Sequence, residues 1–252
     1  MAKRKLKTKK YFVTSDIHSF MDPFFTALIN AGFDNYNPDH ILIVCGDAFD
    51  RGKDAVRVYK YLKELHSKGK LVYIKGNHED LIFDCVKQLK KNDGCAQSHH
   101  YSNGTVDTVV QFMEADLLDE ALDFIKKESV NYFEVGKYVF VHGWVPYILQ
   151  DEHDPSGELS IISKPVIKLD AEDFMWKEAR WYNGMREASN DVIIEGKIIV
   201  CGHWHTGWGH YVLHHEGSSQ FDKFDIYEDL GIIALDACTA YSNKVNILTI
   251  EG

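Results

Sequence analysis

Residues 41–52 read I-L-I-V-C-G-D-A-F-D-R-G. Five apolar residues stop at a glycine, and two aspartates and an arginine follow. A short continuous apolar run of this kind fits a strand buried on both faces. What comes next decides the fold. Residues 54–67 place Val56, Tyr59, Leu62 and Leu65 at helical spacing, and 71–75 (L-V-Y-I-K) form another strand. Residues 79–91 give a second helix, ended by the Asp93-Gly94 turn. Upstream, 11–15 supply a further strand. Strands that alternate with helices imply βαβ units and a largely parallel sheet.

The pattern changes after Gly94. Residues 106–112 and 115–127 read as helices with no strand between them, so 95–128 is expected to be a helical cap. Residues 132–135 and 138–141 read as strands joined by a Gly136-Lys137 turn. The polar stretch 151–164, with Pro155 and Gly157, reads as a surface loop, and 170–182 as a helix. Strands over 197–200, 232–235 and 245–250 close the chain. They lack intervening helices of helical-repeat length, so a second, mixed or antiparallel sheet is expected. The sequence shows no internal repeat.

The bulk composition narrows the class. With 252 residues, 45% of them hydrophobic, the chain can bury one sizeable core. One domain is expected over 11–252, after a solvated basic tail over 1–10 that carries Lys3, Arg4, Lys5, Lys7, Lys9 and Lys10. A net charge of −10 argues against non-specific nucleic-acid binding, so no stable nucleic-acid partner is expected. Asp16 and His18 interrupt the first apolar stretch too early for a signal peptide. No run approaches the ~18 apolar residues of a membrane span, so no membrane partner is expected. The five cysteines show no CxxC pair, and Cys45 and Cys201 sit inside apolar runs. That usage fits buried, reduced thiols in the cytoplasm.

Each strand ends on chemistry. The first ends S-D-I-H, with Asp16 and His18. The second carries Asp47, Asp50 and Arg51. The third ends K-G-N-H-E, with Asn77 and His78. Residues 138–141 run into His142, and 197–200 into C-G-H-W-H, with His203 and His205. Ligands in open α/β sheets bind beyond the carboxyl ends of strands, where these residues can converge. Carboxylate, amide oxygen and imidazole, with no thiolate, suit manganese, iron or zinc. Asp16, His18, Asp47, Asn77, His142, His203 and His205 are too many for one tetrahedral ion and suit two ions sharing a carboxylate.

The order D-x-H, G-D-x-x-D-R-G, G-N-H-E, H-G, G-H-x-H resembles the calcineurin-like metallophosphoesterases from Asp16 to about Tyr241. The D-R-G ending resembles the branch of the serine/threonine protein phosphatases and bacterial diadenosine tetraphosphatases. Y-S-N-G-T-V-D-T (101–108) is similar to that branch's N-G-G-x-x-T segment, and L-D-A-C-T-A-Y-S-N-K-V-N-I-L (235–248) to its closing strand pair. The resemblance implies an α/β fold in which a two-sheet β-sandwich is flanked by helices. It implies a cofactor of two metal ions, with manganese first and iron or zinc as alternatives. Asp16, His18 and His205 would hold one ion, Asn77, His142 and His203 the other, and Asp47 both. His78 resembles the general acid, with Asp50 orienting it; Arg51 would grip phosphate oxygens. Arg180, which follows Trp176 on a helix, takes the place of a second phosphate arginine or is a helix-surface charge.

The implied reaction is in-line attack on phosphorus by a metal-bound hydroxide. The implied partner is a phosphorylated substrate. That substrate is a phosphomonoester, as for a phosphoprotein phosphatase, or a dinucleoside polyphosphate or other diester, to which the G-H-x-H form points. A silent binding module would be expected to have lost at least one of these residues.

Overall fold

The structure is a computed structural model that describes residues 9–153 and 161–252. The chain runs β1 (Lys10–Thr14), α1 (Met21–Asn30), β2 (His40–Cys45), α2 (Ala55–Ser67), β3 (Leu71–Ile74) and α3 (Asn77–Lys91). There follow α4 (Ser98–Ser102), α5 (Thr105–Glu114), α6 (Leu118–Glu128), β4 (Ser129–Val130), β5 (Phe133–Val135) and β6 (Tyr138–Phe140). Next come β7 (Tyr147–His153), β8 (Ile161–Ile167), α7 (Asp173–Ala179), α8 (Gly184–Ser189) and β9 (Ile198–Cys201). The last are α9 (Thr206–Val212), β10 (Tyr227–Asp229), β11 (Ile232–Ala234), α10 (Thr239–Ser242) and β12 (Leu248–Glu251).

Two five-stranded sheets result. The first has the order β12-β1-β2-β3-β4 and is parallel except at β12. The second has the order β10-β11-β9-β6-β5, with β11, β9 and β6 parallel and an antiparallel strand at each edge. Side chains alternate across each strand, and that period of two assigns every layer. In the first sheet Val13, Ile43, Cys45 and Ile74 point inward to meet Phe140, Val200, Ile233 and Leu235 of the second. Their neighbours Phe12, Leu42, Val44 and Tyr73 point outward to a cluster with Leu28 of α1, Leu62 of α2, Ile82 of α3 and Phe112 of α5. Val139, Ile199 and Ile232 face outward from the second sheet, against Trp176 of α7 and Met185 of α8. The order of layers is therefore α/β/β/α, the sandwich expected from the sequence.

Several elements differ from the sequence reading. The stretch 151–164 is not a loop where it is described. β7 and β8 pair antiparallel over Tyr147–His153 and Ile161–Ile167, a two-stranded ribbon separate from both sheets. Ile148 and Leu149, on opposite faces of β7, are both exposed, so this part of the strand lacks the buried alternation that marks one. The helix expected over 170–182 is shorter, Asp173–Ala179. α1 was not expected; only Met21, Phe24 and Leu28 of its ten residues are buried, a thin apolar stripe beside Pro23. The basic tail falls outside the described residues up to residue 8. Lys10 opens β1, and the Lys9 carbonyl accepts from the backbone N–H of Gly252. Among the described residues, no helix is long and apolar enough to cross a membrane.

Phe140 is fully buried where the two sheets meet. Phe140→Ala is expected to lower stability by about 3–5 kcal/mol, read as a lower midpoint of urea unfolding.

Candidate metal centre

Parallel strands of both sheets, β1, β2 and β3 of the first and β6, β9 and β11 of the second, deliver their carboxyl ends to one rim. The turns there are tight. Asp16, His18, Asp47, Asp50, Arg51 and His203 all adopt φ between +50° and +72°. L-residues pay about 1–2 kcal/mol each in that region, so the surrounding contacts must hold these turns in place. Two glycines let the turns interlock: a Cβ on Gly76 would run into Asp47 Oδ1, and one on Gly202 into Asp16 Oδ2.

Donor atoms of His18, Asp47 and His78 lie within 4.8 Å of one another, and so do those of Asp47, His142 and His203. Asp47 belongs to both groups. His142 Nε2 stands 2.8 Å from Asn77 Oδ1 and 3.3 Å from Asp47 Oδ1. His18 Nε2 stands 3.8 Å from Asp16 Oδ1 and 3.9 Å from Asp47 Oδ2. The imidazoles are aimed from behind. His18 Nδ1–H donates to the Phe49 carbonyl at 3.0 Å and His142 Nδ1–H to that of Cys45 at 2.8 Å. His203 donates to the Trp181 backbone. A proton fixed on Nδ1 leaves the Nε2 lone pair facing the cavity, as metal-ligating histidines require.

One buried carboxylate organises the loops. Glu79 is completely buried and opens α3. Its Oε2 accepts from the backbone N–H of Asp47 and Gly76, and its Oε1 from the N–H of Ala48 and the hydroxyl of Tyr73. Asp47 Oδ1 in turn accepts the backbone N–H of His78 at 3.0 Å, and Asp16 Oδ2 that of His203 at 2.9 Å. The last contact spans the two sheets.

A second group sits beside these donors. His78 Nδ1–H donates to Asp50 Oδ2 at 2.7 Å, and Thr105 Oγ1 donates to the same oxygen at 2.8 Å. Thr108 Oγ1 accepts from the Asp50 N–H. The Arg51 N–H donates to the Asn103 carbonyl, and Gly104 lies against the Arg51 backbone. Helices α4 and α5 thus brace Asp50 and Arg51.

The electrostatics separate the residues. Burial raises the Asp47 carboxyl, but the imidazoles of His142, His78 and His18 outweigh it and hold it well below the usual range. Burial opposes the charged form of His142, yet Asp47 and Asp16 push it up to about 10. Burial and the Asp47 charge push Asp16 up to about 6, against the pull of His142. Burial and the neighbouring His142 charge drive His203 down to about 3. Burial and His78 drive His18 well below its usual value. Burial also disfavours charge on His78, but Asp47 and Asp50 overcome it and raise its pKa.

The cavity over these groups measures about 190 Å³. His18, Asp47, Asn77, His78, His203 and Arg51 line it, while Asp16 and His142 are buried. His205 lines the same cavity but joins neither donor group; its ring stacks on Phe221 at 5.4 Å. Arg180 requires a correction. It is buried, does not line the cavity, and its guanidinium bonds Asp80 Oδ2 at 2.7 Å and Asn131 Oδ1. Lys75 meets the other oxygen of Asp80. With both terminal nitrogens engaged by Asp80 and Asn131, Arg180 links α3 to the layer packed on the second sheet and does not face the cavity.

The sequence reading missed several contributors. Glu79 had no role assigned, although its position three residues after the helix-opening glycine is the spacing of a capping box. Asp236 is not among those missed: the family resemblance implies a structural hydrogen-bonding role, and its Oδ1 accepts the Cys238 N–H while the residue lines the cavity from the end of β11. Trp181 lines it too, edge-on to His203. A larger cleft of about 870 Å³ lies along α1 and residues 243–247, away from both donor groups.

The layered fold and the oxygen-and-nitrogen donor set together define the metallophosphoesterase class. The chain belongs to the calcineurin-like phosphoesterase family, whose profile matches residues 9–229. It is 25% identical over 145 residues to the asymmetrical bis(5'-nucleosyl)-tetraphosphatase PrpE of Bacillus velezensis, covering 54% of this chain and 56% of that one. It is 29% identical over 101 residues to the symmetrical bis(5'-nucleosyl)-tetraphosphatase of Nitrosospira multiformis, covering 40% of this chain and 32% of that one. The chain thus matches about half the length of the first relative and a third of the second. Its fold is similar to a cold-active protein-tyrosine phosphatase of a Shewanella species, with a TM-score of 0.58 and 16% identity over all of this chain and 78% of that one. It is also similar to a serine/threonine phosphatase of Saccharomyces cerevisiae, with a TM-score of 0.53 and 15% identity over 97% and 80% of the two chains.

Glu79→Gln replaces an acceptor of four hydrogen bonds by an amide that accepts with only one atom. The variant is expected to lose about 3 kcal/mol of stability, seen as a lower urea midpoint, and to bind manganese about 10–100-fold more weakly by calorimetry.

Proposed function

We propose that the chain is a dinuclear metal-dependent phosphoesterase. The observation that carries this reading is a buried carboxylate, Asp47, shared by two donor groups, beside a His78–Asp50 pair and under Arg51. The residues fit the ions. The donors are oxygen and nitrogen, three imidazoles are aimed from behind, and Asp47 and Asp16 hold a proton on His142 where a bound cation would supply the charge. Asp16, His18 and His205 would hold one ion, Asn77, His142 and His203 the other, and Asp47 both. When bound, the ions supply Lewis acidity and an activated water at the phosphorus.

The remaining chemistry belongs to the chain. By distance alone His78 groups with His18 and Asp47. We separate it by its partner: the His78 Nδ1–H goes to the Asp50 carboxylate, which favours the charged ring, whereas the Nδ1–H groups of His18 and His142 go to backbone carbonyls. In this reading His78 delivers a proton from Nε2 to the leaving oxygen. Asp50 fixes the ring through Nδ1, and Thr105 fixes Asp50. Arg51 offers a planar fork to the non-bridging oxygens. Cys238, the cysteine that lines the cavity, is poorly suited to attack phosphorus, since burial and Asp236 raise its thiol to about 11.

For the substrate we favour a dinucleoside polyphosphate, because both curated relatives named above are tetraphosphatases of that class. The cavity of about 190 Å³ has room for phosphoryl groups, so nucleosides would lie on the rim, where Trp181 is half exposed. A phosphomonoester is the second reading, because the Asp50-Arg51-Gly52 turn resembles a branch that holds phosphoprotein phosphatases as well as tetraphosphatases. Initial rates of the manganese-loaded chain on diadenosine tetraphosphate, a phosphoserine peptide and p-nitrophenyl phosphate separate them. The highest kcat/KM is expected on the dinucleotide, and a preference for the peptide transfers the assignment to monoesters.

His78→Asn is expected to lower kcat about 10²–10⁴-fold with bound metal unchanged, measured by turnover and atomic emission together. Asp50 stabilises the imidazolium, so activity falls as pH rises through the raised pKa of His78. Asp50→Asn is expected to move that alkaline limb to lower pH, read from the kcat/KM profile.

A further inference from the structure

A second cluster of metal-ligating side chains lies outside this cavity, on the surface formed by α3 and α4. Asp84, His99 and His100 each bring a donor atom within 4.8 Å of the other two. His100 is completely buried and forms the wall of the cluster; its Nε2 stands 3.1 Å from Asp84 Oδ2. Its Nδ1 is buried with no hydrogen-bond partner. The His99 and His100 rings lie 4.0 Å apart. Asp84 is half exposed and is steadied by Gln88 Nε2, which donates to Oδ2 at 2.7 Å.

We propose that Asp84, His99 and His100 form a separate site for one divalent transition ion of the zinc type. Two imidazoles and a carboxylate are a zinc donor set, with water filling the remaining position on the exposed side. Ligands about 2.0–2.1 Å from a tetrahedral ion stand roughly 3.3 Å apart, so the 3.1 Å between His100 and Asp84 needs only a small adjustment. The ion would take His100 through Nε2, the nitrogen that already faces Asp84, so the buried ring brings a fixed donor to the cluster. The other surface cluster, His210, His214 and Glu216, is different. His210 bonds through both nitrogens, to Glu216 and the Asp225 carbonyl, and Lys223 Nζ already stands 2.6 Å from Glu216.

The ion would clip α3 to α4. His99 leads directly to the Asp50–Arg51 support: its carbonyl accepts from the N–H and side-chain amide of Asn103, whose own carbonyl accepts the Arg51 N–H. A clip at this point stiffens the segment that holds Arg51 and Asp50 without touching the cavity.

The test counts zinc. The full-length chain, His99→Ala and Asp84→Ala are dialysed against the same micromolar free zinc and assayed by atomic emission. Each variant is expected to hold one ion fewer per chain than the unaltered protein, and equal counts overturn the proposal. Both variants keep every residue of the central cavity, so the difference in count is independent of whether the chain hydrolyses any phosphate. Should a variant fail to fold, the unaltered chain decides. Zinc is expected to slow carbethoxylation of His99 by diethyl pyrocarbonate at least tenfold, mapped by mass spectrometry, and an unchanged rate overturns the site.

Discussion

The Glu79 carboxylate ties the loop after β2 to the loop after β3, and the donor geometry depends on that bond set. Three backbone N–H groups and the Tyr73 hydroxyl converge on its two oxygens in a site without solvent. Asp47 and Asn77 sit on the two loops it joins, and Asp47 then captures the N–H of His78. A buried charge is tolerated only when its hydrogen-bonding capacity is filled, and here the backbone fills it. The arrangement is rigid because shifting either loop would strand both the anion and the amides facing it.

The sandwich supplies the rest of the constraint. Period-two alternation places one side chain of each pair between the sheets and the next under a helix layer, fixing the register of every strand. The parallel strands of both sheets then end on the same rim, and the turns leaving them take left-handed φ values. That strain is offset by contacts across the molecule, such as the Asp16 carboxylate on the His203 N–H and the Thr239 hydroxyl on the Asp16 carbonyl. Function is concentrated where the backbone is least relaxed, and the two hydrophobic layers beneath hold it there.

Much of this was legible in the sequence because it depends on local pattern. The βαβ half and the ordered donors Asp16 to His205 follow from apolar runs that end on polar residues, and the His78–Asp50 pair is what the family resemblance implies. What escaped depends on distant partners. Glu79 reads as an ordinary helix-surface acid until the β2 loop is placed over it. Arg180 reads as a phosphate ligand until Asp80, one hundred residues earlier, takes its guanidinium. The β7–β8 ribbon escaped because Ile148 and Leu149, on opposite faces, both stay exposed, leaving no buried alternation there to mark a strand.

The central claim is that Asp47 is shared between two ions held close together. Electron paramagnetic resonance of the chain loaded with two equivalents of manganese(II) tests it directly. The account predicts the spectrum of an exchange-coupled pair, with ions about 3.5–4 Å apart, collapsing to that of isolated ions in Asp47→Asn. Isolated six-line manganese signals from the unaltered chain at full loading would contradict it.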